Sequence, residues 1–151
     1  MSDRIKIGWR EWLSLPELGI PAIKAKTDTG ARTSSLYAFF VEPFVREGRQ
    51  MVRFGVHPMQ HHRDLEVICE HPVKDHRMIT DSGGHREMRY VIETLVKLGE
   101  RSWPVEITLS NRDRMKFRML LGRTALKGIE VIPEESYLFG KRKMKTGAVD
   151  K

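Results

Sequence analysis

The sequence holds one cysteine, Cys69. A single thiol cannot close an internal disulfide or build a thiolate metal centre, so the chain reads as a protein of the reducing cytoplasm. Cys69 itself, in Leu65-Glu-Val-Ile-Cys-Glu70, reads as a small buried residue of a strand. Long apolar runs are missing too: nowhere do about eighteen apolar residues follow one another. The amino-terminal region lacks the charged head, apolar run and small-residue cleavage site of an export signal. A soluble, unexported chain with no membrane partner is the expectation. Two further absences narrow the chemistry, since neither Gly-x4-Gly-Lys-Ser/Thr nor His-Glu-x-x-His occurs. No cofactor is expected, and zinc finds no ligand spacing that supports it. The histidines (His57, His61, His62, His71, His76 and His85) read as polar loop residues. Their convergence from strands as ligands is the open alternative, and His57 reads as a hydrogen-bonded strand end.

What is present is enough for a core, because 151 residues fit one compact domain that needs no disulfide staple. Basic residues number 27 against 20 acidic ones, a net charge of +7 that favours acidic partners. Those basic residues are interspersed with acids and form no aromatic-basic RNA-binding motif, which argues against nucleic acid. Part of the excess sits in Lys141-Arg-Lys-Met-Lys145, beyond the strand-like run Ser136–Phe139 and Gly140. One domain over residues 1–139 and a basic, disordered tail over 140–151 follow as the expected organisation.

Short runs rich in β-branched and aromatic residues recur between turn residues: Arg4–Trp12, Ile20–Thr27, Leu36–Phe44, Met51–Val56, Leu65–Glu70, Arg77–Thr80, Met88–Leu98, Trp103–Leu109, Lys116–Leu121 and Ile129–Ile132. Turn chemistry separates them, as in Pro16-Glu-Leu-Gly19 and Ser110-Asn-Arg-Asp113. This pattern predicts a mainly β domain, with one short helix near the carboxyl end over Thr124–Lys127.

Lys24-Ala-Lys-Thr-Asp-Thr-Gly-Ala-Arg-Thr-Ser-Ser-Leu36 sets an acid and a glycine among five hydroxyl residues, directly after a predicted strand. Asp28 then falls at the strand's end, where backbone N–H groups of a tight turn orient a carboxylate and Gly30 permits close backbone approach. Such a carboxylate can hold a water. Asp-Thr-Gly is equally an ordinary structural turn, and the tripeptide alone leaves both open.

A second stretch, Phe117-Arg-Met-Leu-Leu-Gly-Arg-Thr-Ala-Leu126, is an apolar strand that ends in glycine and enters a helical turn. With Asp28-Thr-Gly-Ala31 it resembles the retropepsin-like aspartic proteases. More narrowly, Ile7–Trp12, Leu15–Lys26, Asp28–Thr33, Asp81–Gly84, Arg89–Ile92 and Leu120–Leu126 resemble small bacterial proteins labelled ATP-dependent zinc proteases. The resemblance implies a single-domain closed β-barrel in which Leu121, Gly122 and Arg123 thread past the Asp turn as a ψ-loop. It also implies Asp28, Thr29 and Gly30 as catalytic residues, with Ala31 and Arg32 lining the substrate groove. The hairpin tip Asp81, Ser82, Gly83 and Gly84 stands where those enzymes carry their flap. Ser82 is not read as a nucleophile, because the flanking residues and the two-barrel fold of chymotrypsin-like enzymes are absent.

Aspartic proteolysis needs two carboxylates sharing a proton. Asp75, Asp81 and Asp113 lack the context of Asp28, so its mate would come from a second copy, across a two-fold axis where Thr29 hydroxyls meet. Lys26 would point away on the strand's other face. The basic Arg32 suggests acidic substrates, in keeping with relatives associated with ATP-grasp ligases that append glutamate to proteins. Two alternatives stand beside the homodimeric peptidase. One is a non-catalytic β module, in which Lys26 and Arg32 pair with Asp28, that regulates a partner ligase or binds ribosomes or RNA. The other is a metal-dependent protease.

Overall fold

The computed structural model describes residues 5–59, 65–80, 83–111 and 117–140. Among them twelve strands run in chain order: β1 Ile5–Gly8, β2 Arg10–Leu15, β3 Ile20–Thr27, β4 Ser34–Tyr37, β5 Phe40–Arg46, β6 Arg49–Val56, β7 Val67–Pro72, β8 Asp75–Thr80, β9 Arg86–Leu98, β10 Arg101–Ser110, β11 Met119–Leu121 and β12 Ile129–Ile132. The mainly β expectation holds. Strands β10, β4, β11, β3, β2 and β9 pair in that order, and β9 pairs back onto β10, which closes a six-stranded barrel. β8 extends β9 beyond the barrel, β5-β6-β7 form a separate antiparallel sheet, and β1 pairs with β12 in parallel.

Alternation explains most of the wall. Arg-Glu-Trp-Leu-Ser-Leu of β2 exposes every first residue in part and buries every second. Leu13, Ile23, Leu36, Ile92, Ile107 and Met119 from six strands fill the interior. Proline falls where it removes no shared ladder bond: Pro43 lies on β5, an edge strand. Pro104 lies where β10 has one neighbour, because β4 joins only at Ile107.

Several elements differ from the sequence-based expectation. The run Arg4–Trp12 is two strands broken at Trp9, because Gly8 passes the chain at Glu135 so closely that a Cβ would lie 2.2 Å from its carbonyl oxygen. Leu36–Phe44 is likewise divided between β4 and β5. The short helix is a 3-10 turn over Arg123–Leu126, and Pro16–Leu18 forms a second one closed by left-handed Gly19. Ser136–Phe139 is not a strand, and Tyr137 there has φ of 57°. The residues 141–151 of the expected tail lie outside the described residues.

That carboxyl-terminal segment packs against the start of β2, a strand whose ladder with β9 is the single pair Ser14 and Lys97. Trp9 N–H donates to Glu135 O at 2.8 Å, and Tyr137 N–H to Arg10 O at 3.0 Å. Glu11, fully buried on the inward face of β2, accepts from the backbone N–H groups of Gly8 at 2.7 Å, Leu138 at 3.0 Å and Phe139 at 3.4 Å. One carboxylate therefore joins the Gly8 bend to the closing segment. Glu11→Ala would strand these donors and is expected to lower stability by on the order of 3 kcal/mol. Exposed Glu134→Ala is expected to cost less than about 0.5 kcal/mol, and urea unfolding of both variants checks the contrast.

Candidate active site

β3 delivers Asp28 to its position and β11 holds it there. Thr27 ends β3 by donating its N–H to Trp9 O at 2.9 Å, and its hydroxyl also reaches Trp9 O at 3.0 Å. Asp28 N–H then donates to Leu121 O at 2.8 Å, continuing the parallel pairing of β3 with β11. The turn folds back on the acid: Gly30 N–H donates to Asp28 Oδ1 at 3.0 Å and Ala31 N–H to Asp28 O at 3.1 Å. The Asp28 side chain has no ion pair with Lys26 or Arg32 among the described residues. It is half-buried, while Thr29, Gly30 and Arg32 beside it are exposed.

β11 lies between β3 and β4, parallel to one and antiparallel to the other, so the chain leaving it must cross the Asp turn. Gly122 makes that crossing possible, since a Cβ there would stand 2.6 Å from the carbonyl carbon of Thr33 and 3.0 Å from Ala31 O. Ser34 Oγ accepts from Gly122 N–H at 3.0 Å, Ala31 O from Arg123 N–H at 2.8 Å, and Arg32 O from Thr124 N–H at 3.0 Å. The Arg123 guanidinium reaches across to Thr29 O at 3.0 Å. Asp28, Thr29, Gly30, Ala31 and Arg32 are thus brought together with Leu121, Gly122 and Arg123. Thr27, Ser34 and the Arg123 side chain complete the clamp, and no sequence signal marked their roles beyond the polarity of the segment.

Of the expected flap, Gly83 and Gly84 lie at the turn that leads into β9, with Gly84 at φ 87°, while Asp81 and Ser82 lie outside the described residues. β8 is tied to the barrel by charge. Glu106 on β10 receives Lys74 at 3.0 Å and Arg77 at 3.3 Å, and Arg77 also meets Asp75 at 2.9 Å. The hydrogen bond from Lys74, followed by the charge of Arg77, holds the Glu106 carboxyl below its ordinary value of 4.5.

The histidines scatter. His76 stacks on Tyr90 at 4.0 Å, His71 Nδ1 lies 3.0 Å from Pro72 O, and His61 and His62 lie outside the described residues. His57 stacks on Phe39 at 4.3 Å, with Nε2 3.9 Å from Glu66, too long for a hydrogen bond, and Nδ1 buried without a hydrogen-bond partner among the described residues. The hydrogen-bonded strand end expected of His57 is therefore replaced by a ring stack. Among the described residues no three of His, Cys, Asp and Glu converge as metal ligands. Cys69 is buried, its Sγ 3.5 Å from Leu18 O, and burial pushes its thiol up to about 11.

A closed barrel whose Asp-Thr-Gly turn is gripped by a threaded, glycine-ended strand is the architecture of the retropepsin-like class. A family model described as retropepsin-like aspartic endopeptidase RimB matches residues 6–142, and the chain belongs to that RimB-like family. Over 144 residues, 94% of its length, it is 48% identical to a protein of Shewanella pealeana named a probable alpha-L-glutamate ligase. A Parasynechococcus marenigrum protein of the same name is 49% identical over 141 residues, and one of Desulfotalea psychrophila 53% over 120. These relatives bear ligase names and not the zinc-protease label. The chain spans about a third of their length, 31% and 30% for the first two. The crystal structure of a Legionella pneumophila protein of unknown function shares the fold, with a TM-score of 0.74, 24% identity, and coverage of 91% of this chain and 99% of that one. No helix among the described residues is long and apolar enough to cross a membrane.

Gly122→Ala forces apart two backbones that cannot yield as side chains do, so it is expected to destabilise by about 1 to 3 kcal/mol. Thermal melts beside Gly128→Ala, where a Cβ meets open space but φ is 76°, separate the clash from left-handed strain. Glu106 supports the fold above its ordinary value, and that support fades as pH falls through its depressed folded value. In Glu106→Gln the β8 amides should exchange faster than wild type at neutral pH, with the difference shrinking below pH 4.5, as hydrogen exchange would record.

Proposed function

We propose that the chain is an aspartic peptidase that works as a two-fold homodimer, each copy supplying one Asp28. The observation that carries this is the half-buried Asp28 carboxylate, fixed by Gly30 N–H and set on a turn whose Thr29 and Gly30 are open to a partner. One Asp28 accepts a proton from water while its mate, protonated, donates to the substrate carbonyl. The pair titrates as a unit, so activity peaks where it holds one proton. Thr29 meets its counterpart across the axis, Ala31 and Arg32 border the groove, and the β8–β9 hairpin with Asp81, Ser82, Gly83 and Gly84 closes over substrate. Arg32 and Arg123 beside the turn favour acidic substrates, glutamate-tagged proteins among them. No metal or other cofactor enters this chemistry.

A second reading draws on the ligase names of the longer relatives, in which this domain occupies about a third of the chain. Under it the domain is a non-catalytic module that regulates a glutamate ligase of the ATP-grasp type. The peptidase assigns Asp28 a reacting role that the module does not.

Cleavage of a glutamate-rich peptide by the wild-type chain separates them, and mixing then tests the dimer. Asp28→Asn keeps the turn's shape but cannot take a proton, so the variant homodimer is expected to lose activity on a glutamate-rich peptide by a factor of about 10² or more. In an equal mixture refolded with wild type, random pairing leaves about one quarter of dimers with both acids, and activity should fall to that fraction. Retention of one half would mean that each chain acts alone. An Asp28→Asn protein as active as wild type would end the proposal.

A further inference from the structure

The outer wall of β2 and β3 carries a closed circuit of rings and cations that the catalytic turn does not use. Arg10 lies directly opposite Lys26 and Trp12 opposite Lys24, so these four side chains share one face. The Arg10 guanidinium stands 4.4 Å from the ring centre of Trp9 and 4.8 Å from that of Tyr137. Tyr137 stacks on Trp12 at 6.5 Å. The Lys24 ammonium is 5.6 Å from both Trp12 and Phe117, and Phe117 meets Trp9 edge-on at 6.0 Å, which closes the circuit.

Several cations elsewhere on the surface are paired with carboxylates. Lys74 is matched by Glu93 and Glu106, Arg89 by Glu87, and Arg46 by Glu70. Arg10, Lys24 and Lys26 have no ion pair among the described residues, and Arg10 Nε is buried with no hydrogen-bond partner. Like charges on adjacent strand positions repel one another. Ring faces offset part of that repulsion, and an arriving anion would offset more.

We infer that this wall is a docking platform for an acidic peptide segment. Two features select a peptide over a nucleic acid. Single-stranded nucleic acid gains its affinity by stacking bases on open aromatic faces, whereas faces of Trp9, Trp12, Phe117 and Tyr137 are already turned to the chain's own cations or to one another. Alternate side chains of an extended acidic peptide repeat at about 6.6 Å, the interval that also separates Lys24 from Lys26 along one face of β3. The platform starts at Lys26, two residues before Asp28, and reaches Lys24 at about 13 Å of strand. As a place that holds substrate it rests on the peptidase reading; as a binder of acidic chains it does not.

The test uses Asp28→Asn protein, so that nothing is cleaved, and a fluorescein-labelled decaglutamate peptide followed by anisotropy. Binding is expected, weakening with added salt, and Lys24→Gln with Lys26→Gln in the same background should weaken it by about tenfold. Melting temperatures check that the fold is kept; if the double variant melts early, exposed Lys26→Gln alone should still weaken binding by about threefold. Absence of peptide binding, or variants that bind like their parent, would overturn the platform. A labelled ten-residue oligothymidylate that binds more tightly than the peptide would also overturn it, in favour of a nucleic-acid surface. The peptidase proposal is scored separately, by cleavage in the wild-type chain.

Discussion

The fold depends on one strand reaching a gap that its neighbours leave for it. β3 and β4 are adjacent in sequence but not in the sheet, and three residues of β11, arriving from far along the chain, fill the space between them. Without β11 the barrel wall is open beside Asp28, and the backbone of the Asp turn loses the Leu121 carbonyl that fixes its entry. The chain must then leave by passing under Thr33 and Ala31, which only a residue without a Cβ allows. Barrel closure and placement of the acid are thus one constraint.

A second closure, at the β2–β9 seam, is made in a different way. There the ladder has one residue pair, and the segment 135–139 bonds to Trp9 and Arg10 through irregular backbone hydrogen bonds. Irregular backbone leaves donors that no ladder satisfies, and burying them requires an acceptor. Glu11 supplies it, with both oxygens of one carboxylate serving three N–H groups. Because Trp9 O also receives the Thr27 N–H and hydroxyl, the Gly8–Arg10 bend links this seam to the end of β3. The site at Asp28 is braced from both sides of the same strand.

Much of this was legible in the sequence where interactions are local. Ile20–Thr27 and Ile129–Ile132 match β3 and β12 end for end, because turn residues bound them. The Asp-Thr-Gly turn was visible because its hydrogen bonds close within four residues. Glu11 carried a signal as well, an acid on the inward face of the alternation Arg-Glu-Trp-Leu-Ser-Leu, although nothing nearby named its partners. Ser136–Phe139 misled, since an apolar aromatic run fits a strand, but its backbone is recruited by Arg10 and Glu11 far away in sequence. The ring and cation circuit could not be read at all, because residues 9–12, 24, 117 and 137 meet only after the barrel closes.

The charge of the molecule then acquires a spatial meaning. A net +7 describes a tendency, yet Lys74 and Arg77 are tied to carboxylates on β8, β9 and β10. Cations without an ion pair among the described residues include Arg10, Lys24, Lys26 and Arg32, along β2 and β3 and at the Asp turn. A two-fold dimer about Asp28 would duplicate that distribution and place two basic walls around one central pair of acids. In such a dimer those acids would attract the proton they share, while the walls would attract carboxylates of a substrate. For a cation more than about 8 Å from the acids the two demands would be compatible, because exposed charges beyond that distance are largely screened at physiological ionic strength. Lys24, at about 13 Å of strand from Asp28, would then draw an acidic chain toward the site without stripping an acid pair of its proton, whereas Lys26 and Arg32, nearer the acid, would favour its charged form.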